Sequence, residues 1–388
     1  MSEPIVIIGA GQAAIKAIET LRGAGHDGAI VLIGEETAPP YQRPPLSKAY
    51  LAGAIDASRL FFKLERFYAD NNVDLRLGLC ATAIAPAERK VSLADGTRLP
   101  YSKLLIATGA RARALPLPGC ELNGVVTLRS IPDVDAIRAR LESVETLAVI
   151  GGGYIGLEVA AVVRKSGRNV TVLEGRERVM ARVVSPQVSD FFEKLHRDNG
   201  VDLRMNVAIE RLVGDTDVKA VALADGSTVP ADMVLVAVGA QPNSELAEQA
   251  GLPVQDGITV DRFARTAAPD IFAAGDCTRF PSRRYGRELR LESVQNAIDQ
   301  AKTAASAMLG DAQAYDPVPW FWSDQYDVKL QIAGLSDGYD RTTIEQAPGN
   351  GFAVSYFKGE RLLAVDAVNA PRAHMLSRRA LAGEAVPA

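Results

Sequence analysis

The chain has 388 residues, 47% hydrophobic and 23% charged, with a formal net charge of −4; at roughly 100–200 residues per domain this length suggests two or three globular domains. The acidic balance argues against nucleic acid as the main partner, because polyanion binding leaves a basic footprint, and no stretch approaches the roughly 18 apolar residues of a membrane helix. The N-terminus, Met1-Ser2-Glu3-Pro4, carries no basic region and runs into an apolar stretch too short for a signal peptide, so a cytoplasmic protein is expected.

In chain order, residues 4–9 read as a buried strand. Gly9-Ala10-Gly11-Gln12-Ala13-Ala14 then opens a helix to about residue 24, and residues 30–33 form a second strand ending in Gly34-Glu35-Glu36. Asp95-Gly96 signals a hairpin, and residues 104–107 read as a strand running into Gly109. The pattern then returns. Residues 147–150 are a strand, Gly151-Gly152-Gly153-Tyr154-Ile155-Gly156 a turn, and residues up to about 166 a helix, after which residues 170–173 end in Glu174. Asp225-Gly226 is a second hairpin signal, and residues 234–238 a strand running into Gly239. Two such βαβ units imply two doubly wound domains, each followed by a small antiparallel meander and a returning strand. Residues 271–274 lead into Gly275-Asp276, a helix spans about 294–309, and Asp316-Pro317-Val318-Pro319 marks a boundary. From Trp320 the remainder reads as a small α/β domain, with strands such as 352–357 and 362–368 and a final helix.

The glycine turns carry the chemistry. A dinucleotide pyrophosphate is anionic and must approach the backbone closely. Gly9 permits the tight turn, Gly11 the approach of backbone to phosphate, and the small Ala14 the packing of helix on strand, while the helix N-terminus offers free N–H groups. Glu35 follows at about the 20-residue spacing from which a carboxylate reaches ribose hydroxyls. A glycine pattern alone is weak, but here it follows a strand, opens a helix and has its carboxylate. The alternative is a ligand-free tight turn. Gly151, Gly153, Gly156 and Glu174 repeat the arrangement, and Glu174 would repel a 2′-phosphate and so favour NADH over NADPH. Arg176 and Arg178 lie close enough to weaken that preference, and Glu174 as a solvated strand-end residue is the plain alternative. Two nucleotide domains imply a relay in which a flavin takes hydride from nicotinamide.

The three cysteines, Cys80, Cys120 and Cys277, form no CxxC, and the three histidines, His26, His196 and His374, are scattered. No disulfide framework is expected, and no metal or iron–sulfur site of the chain's own.

Several further segments go beyond these generalities: Pro44-Pro45-Leu46-Ser47-Lys48, residues 151–158, Gly275-Asp276-Cys277, Glu292-Ser293-Val294 and Pro319-Trp320-Phe321-Trp322-Ser323-Asp324-Gln325. With them the whole chain resembles the FAD-dependent NADH:ferredoxin reductases of bacterial oxygenase systems. The resemblance implies an α/β, glutathione-reductase-like fold of two Rossmann-type nucleotide-binding domains plus a C-terminal α/β domain. Residues 1–113 and 241–318 would bind FAD, 114–240 NADH, and 319–388 would cover the flavin. FAD contacts carried over by motif are the Gly9 turn with Ala13, then Glu35, Arg43, Lys48, Ala81, Arg129, Asp276, Val294 and Trp320. Gly239, Ile155 and Glu158 join the second glycine turn as NADH residues.

Each has an alternative. Lys48 is either a positive charge favouring the reduced flavin or a surface lysine. Glu158 either contacts the carboxamide of nicotinamide or only meets the helix dipole. Asp276 binds a ribityl hydroxyl, caps a helix, or both, and Trp320 lies near the flavin or packs in a core. The implied partner is a small acidic 2Fe–2S ferredoxin serving a dioxygenase or cytochrome P450, with Lys63, Lys302 and Lys329 as basic docking candidates or plain solvated charges. No nucleic acid or membrane partner is expected. Members of this family usually carry a longer tail than one ending at Ala388, which puts any docking role of that tail in question. The competing functions are an NADH oxidase, a disulfide or peroxide reductase, and a low-turnover flavin sensor. The loop Tyr41-Gln42-Arg43-Pro44-Pro45 lacks the cysteine that a disulfide reductase needs.

Overall fold

Ile5–Ile8 is an unbroken run of β-branched residues, buried throughout. Such a strand is stable only between parallel neighbours with helices on both faces of the sheet. In the computed structural model, which describes residues 3–384, it lies at the centre of a five-stranded sheet ordered Ile271–Ala273, Lys103–Ile106, Ile5–Ile8, Ile30–Gly34 and Val73–Leu77. Every pair is parallel, with Val6 opposite both Val31 and Leu104. The helix Gln12–Gly23 buries Ala13, Ala14, Ile15, Ala17, Ile18 and Leu21. It packs on Ala297, Ala301, Ala304 and Ala305 of the helix Val294–Met308, where small side chains on both surfaces let the two backbones approach. Met1, Ser2 and residues 385–388, including the chain end at Ala388, lie outside the described residues.

The chain divides into two compact units. The first comprises Met1–Gln42, Ser58–Arg111 and Gln241–Pro317, and the second Arg43–Ala57, Ala112–Ala240 and Val318–Ala388. The segment with Pro44-Pro45-Leu46-Ser47-Lys48 therefore packs with the second unit. That unit repeats the doubly wound plan in a parallel sheet ordered Asp202–Arg204, Asn169–Leu173, Thr146–Ile150, Met233–Val236 and Val125–Val126. Its helix Tyr154–Lys165 buries Leu157, Val159, Ala160 and Val163, and with them the carboxylate Glu158. Both Asp-Gly signals lie in hairpins, one joining Lys90–Leu93 to Arg98–Pro100 and the other Val218–Leu223 to Thr228–Pro230.

From Trp320 the strands form a sheet ordered Trp320–Gln325, Val328–Gly334, Arg361–Val368, Gly351–Lys358 and Arg341–Ala347, with the helix Pro371–Ala382 against it. Strands and a final helix were expected here, but every pairing is antiparallel. Tyr326-Asp327 and Gly359-Glu360 are two-residue connections, too short for a parallel crossover. Within this sheet Asp366 is 1% exposed. It accepts a hydrogen bond from the Tyr356 hydroxyl, and the Ser185 backbone N–H donates to the Tyr356 oxygen at 2.9 Å. The Oδ1 atom of Asp366 has no hydrogen-bond partner among the described residues.

Burial pushes the Asp366 carboxyl up to about 7, against the opposing hydrogen bond from Tyr356. An unfolded aspartate titrates near 3.9. The folded chain thus holds a proton that the unfolded chain has lost, and this contribution to stability is complete at low pH and fades as pH rises through about 7. Asp366→Asn is neutral throughout. It is expected to gain about 2 kcal/mol or more relative to the parent between pH 4 and pH 8, measured as urea unfolding at both pH values. Parallel pH profiles for parent and variant would contradict the assignment of a neutral Asp366.

Candidate functional site

In the first unit the strand Ile5–Ile8 delivers Gly9 at φ +105, where a Cβ would lie 2.2 Å from the Ala107 carbonyl oxygen. Only glycine fits there. Gly11 is the N-cap of Gln12–Gly23 and has no side-chain cap, and a Cβ on it would meet nothing within 4 Å. A helix start with no side-chain cap and an unobstructed glycine before it fits an anionic pyrophosphate. Ala13 and Ala14 lie on the buried face of the helix. Ala13 also abuts the Gly275 turn, its Cβ 3.5 Å from where a Gly275 Cβ would be.

The turn bearing Asp276 is held from the helix Val294–Met308, where Gln300 Oε1 accepts from the Gly275 N–H and from the Thr278 hydroxyl, both at 2.8 Å. Asp276 does not open a helix of its own, since the strand Thr278–Ser282 follows it. Val294 opens its own helix behind Ser293, whose hydroxyl accepts from the Asn296 N–H at 3.0 Å. Glu35 is exposed just beyond the strand Ile30–Gly34. The Cys80 thiol beside it is pushed up by burial and then by the Glu35 charge. Ala81 is buried at the start of the neighbouring strand Ala81–Ala85.

The second turn is built in the same way. Gly151 has φ +107, and a Cβ there would lie 2.5 Å from the Ala237 oxygen. Gly153 opens onto nothing within 4 Å, and a Cβ on Gly156 would lie 2.2 Å from the Gly151 oxygen. Ile155 is 43% exposed. Glu174 is not simply a solvated strand end. Its Oε2 accepts from the Gly152 N–H at 2.6 Å and its Oε1 from the Arg176 N–H at 2.9 Å. Arg178 is spent on the Val184 and Ala181 carbonyls and the Ser189 hydroxyl, which leaves the exposed Arg176 as the guanidinium able to soften the preference against a 2′-phosphate. Gly239 has φ +112, and the Arg182 guanidinium lies 3.9 Å from where its Cβ would be.

The two catalytic candidates meet. Lys48 Nζ donates to Glu158 Oε2 at 2.6 Å and to the Pro44 carbonyl at 3.2 Å. Ser47 donates to the same carboxylate oxygen at 2.5 Å, and Ser323 to Oε1 at 2.6 Å. Lys48 is thus no ordinary surface lysine, and Glu158 does more than sit at a helix start. Close by in sequence, Arg43 donates to the Arg129 carbonyl at 2.6 Å. Arg129 leads into the helix Ile131–Leu141, capped by Ser130 and Asp133. Trp320 is half-buried, with the Arg378 guanidinium 4.7 Å from its ring centre and Trp322 5.7 Å away.

The three docking candidates all carry carboxylate partners. Lys63 pairs with Glu19 at 2.7 Å, Lys302 with Asp299 at 3.0 Å and Lys329 with Asp324 at 3.0 Å. Glu19 also holds Lys16, so that cluster keeps a net positive charge. Cys277 is fully buried and its thiol is pushed up by burial, which suits packing and not redox chemistry. Among the described residues no His, Cys, Asp and Glu group could hold a metal ion, and no helix is long and apolar enough to cross a membrane. Sequence reasoning missed Ser47, Ser323, Gln325, His196 and Arg182. Ser47, Ser323 and Gln325 stand inside the proline-rich and PWFWSDQ motifs, but nothing in the sequence marks Ser47 and Ser323 as partners of Glu158, or Gln325 as the partner of Ser323.

Residues 3–301 match the family described as Pyridine nucleotide-disulphide oxidoreductase, and residues 320–388 match Reductase C-terminal. Rhodocoxin reductase of Rhodococcus erythropolis is 43% identical over 382 residues, spanning 98% of this chain and 90% of its own length. The ferredoxin reductase for the CYP199A2 system from Rhodopseudomonas palustris is similar in structure with a TM-score of 0.96 and 41% identity, covering 99% of this chain and 96% of that one. A covalent putidaredoxin reductase–putidaredoxin complex gives a TM-score of 0.95 at 41% identity, covering 99% and 94%.

Glu174→Gln keeps a hydrogen-bond acceptor for the Gly152 N–H and removes the negative charge. The ratio of kcat/KM for NADH to that for NADPH is expected to fall by about tenfold, the equivalent of roughly 1.4 kcal/mol. Steady-state kinetics with both nucleotides measures it, and an unchanged ratio would remove Glu174 as the discriminating group.

Proposed function

We infer from the family to which this chain belongs, the pyridine nucleotide-disulphide oxidoreductases, here with a Reductase C-terminal domain, that it is an FAD-dependent NADH:ferredoxin reductase. Bound FAD supplies the chemistry of accepting hydride from NADH and releasing electrons singly to a 2Fe–2S ferredoxin that serves a dioxygenase or cytochrome P450. One observation carries the reading. Two glycine turns are each shaped for a pyrophosphate, in a chain whose Tyr41–Pro45 loop has no cysteine and whose Cys277 is buried. With no cysteine in that loop and Cys277 buried, neither position offers a thiol to receive electrons, which favours an external carrier.

The roles of the chain's own residues follow from this proposal. Residues 1–113 and 241–318 form the FAD domain, 114–240 the NADH domain and 319–388 the C-terminal domain. Gly9, Gly11, Ala13, Ala14, Glu35, Arg43, Lys48, Ala81, Arg129, Asp276, Val294 and Trp320 bind FAD. Gly151, Gly153, Ile155, Gly156, Glu158, Glu174 and Gly239 bind NADH. Lys48 supplies fixed positive charge for the negative charge that develops on reduction, and Glu158 orients that ammonium. Catalysis rests on alignment and electrostatics, without a protein nucleophile. A cytoplasmic location belongs to the same proposal, as does docking of ferredoxin through Lys63, Lys302 and Lys329.

NADH-driven cytochrome c reduction, with and without an added 2Fe–2S ferredoxin, tests the function. Turnover is expected to depend on ferredoxin and to survive Cys277→Ala. Oxygen consumption indifferent to ferredoxin would mark an NADH oxidase, loss of activity on thiol alkylation a disulfide or peroxide reductase, and flavin reduction without turnover a sensor. Replacing Lys63, Lys302 and Lys329 together by alanine is expected to raise the KM for ferredoxin at low ionic strength and to converge on the parent at high ionic strength. A KM unchanged at low salt would remove these lysines from the docking surface.

A further inference from the structure

One face of the strand Trp320–Gln325 matches one face of the helix Tyr154–Lys165. Alternate strand residues share a face and lie about 6.6–6.8 Å apart, close to the rise of about 6 Å between helix residues four apart. Phe321 packs on Tyr154 with ring centroids 4.6 Å apart. Two residues along the strand and four along the helix, Ser323 Oγ donates to Glu158 Oε1 at 2.6 Å. Gln325, next on that face, donates from Nε2 to Ser323 Oγ at 3.3 Å, and its Oε1 lies 2.9 Å from His196 Nε2. His196 comes from the helix Pro186–Asp198. Ser323, Gln325 and His196 all have zero exposure.

The hydrogen bonds run in one direction. An amide oxygen can only accept, so His196 carries its proton on Nε2. The Gln325 amide then donates to Ser323, and the single hydroxyl proton of Ser323 goes to Glu158. Burial lowers the His196 pKa from its ordinary value, which favours the neutral ring this order requires. The other oxygen of Glu158 takes Lys48 and Ser47. A carboxylate anchored on one oxygen cannot swing away from the ammonium on the other.

We propose that Ser323 and Gln325, braced by His196, are positioning residues for hydride transfer from NADH: they pin Glu158 Oε1 and so present Oε2 to Lys48. This rests on the proposed roles of Glu158 and Lys48. It also gives the inward residues of the PWFWSDQ segment a task distinct from that of the outward Trp320.

The test is anaerobic stopped-flow reduction of the FAD-loaded protein by NADH, with Glu158→Gln as the reference variant. Ser323→Ala is expected to slow the limiting reduction rate about tenfold, as for loss of a hydrogen bond to a charged group, with the NADH dependence and FAD content little changed. Ser323→Thr, which keeps the hydroxyl, restores most of the rate. The double variant Ser323→Ala/Glu158→Gln is expected to be no slower than Glu158→Gln alone, because both act through one carboxylate. Gln325→Leu gives the same readout should Ser323→Ala fail to retain FAD. If Glu158→Gln leaves the rate unchanged, the reading on which this inference rests fails, and the inference with it. If Glu158→Gln slows reduction while Ser323→Ala and Gln325→Leu do not, or if the effects multiply, the positioning role alone is overturned.

Discussion

The structure depends on how closely a polypeptide backbone can approach an anion. A pyrophosphate cannot be neutralised by distant charge. It needs N–H groups within hydrogen-bonding reach, and a helix N-terminus provides them only if no side chain stands in the way. At Gly9 and Gly151 the strand turns into its helix so tightly that a methyl group would collide with the carbonyl of a neighbouring strand. At Gly11 and Gly153 the next step opens outward. Central sheets and small-residue helix packing serve to hold these turns in place, and the strand-end Glu174 bonds directly to the second.

A second constraint concerns buried carboxylates, which the second unit resolves in two opposite ways. Glu158 is surrounded by a lysine and two serine hydroxyls, with donors on both oxygens. Among the described residues Asp366 has a single phenol as partner, a second oxygen without a hydrogen bond and no ion pair, and burial pushes its carboxyl up to about 7. An ion pair with its hydrogen bonds satisfied compensates for lost hydration, whereas an uncompensated buried acid keeps its proton. The first solution suits a site where charge must be present. The second suits a tie between the Ser185 loop and the C-terminal sheet.

What the sequence revealed was local. The strands around Ile5–Ile8 and Thr146–Ile150, the glycine turns, the strand-end positions of Glu35 and Glu174 and both Asp-Gly hairpins depend on contiguous residues or on spacings of about 20 residues, and these positions could be read directly. The antiparallel order of the C-terminal sheet was harder, because its edge strand Arg341–Ala347 is polar and largely exposed and shows no apolar alternation. The surroundings of Glu158 were not legible. Its partners Ser47 and Ser323 stand 111 and 165 residues away, and Gln325 faces His196 across 129. The support of the Asp276 turn was hidden for the same reason. The helix that backs this turn is Val294–Met308, through Gln300, about two dozen residues further along the chain and beyond two intervening strands.

The most direct measurement is the flavin content of the purified protein and its response to NADH in the absence of oxygen. The account predicts a yellow protein holding a single FAD per chain that bleaches on addition of NADH. A colourless protein that cannot be reconstituted with FAD, or a flavin that NADH leaves oxidised, would contradict it.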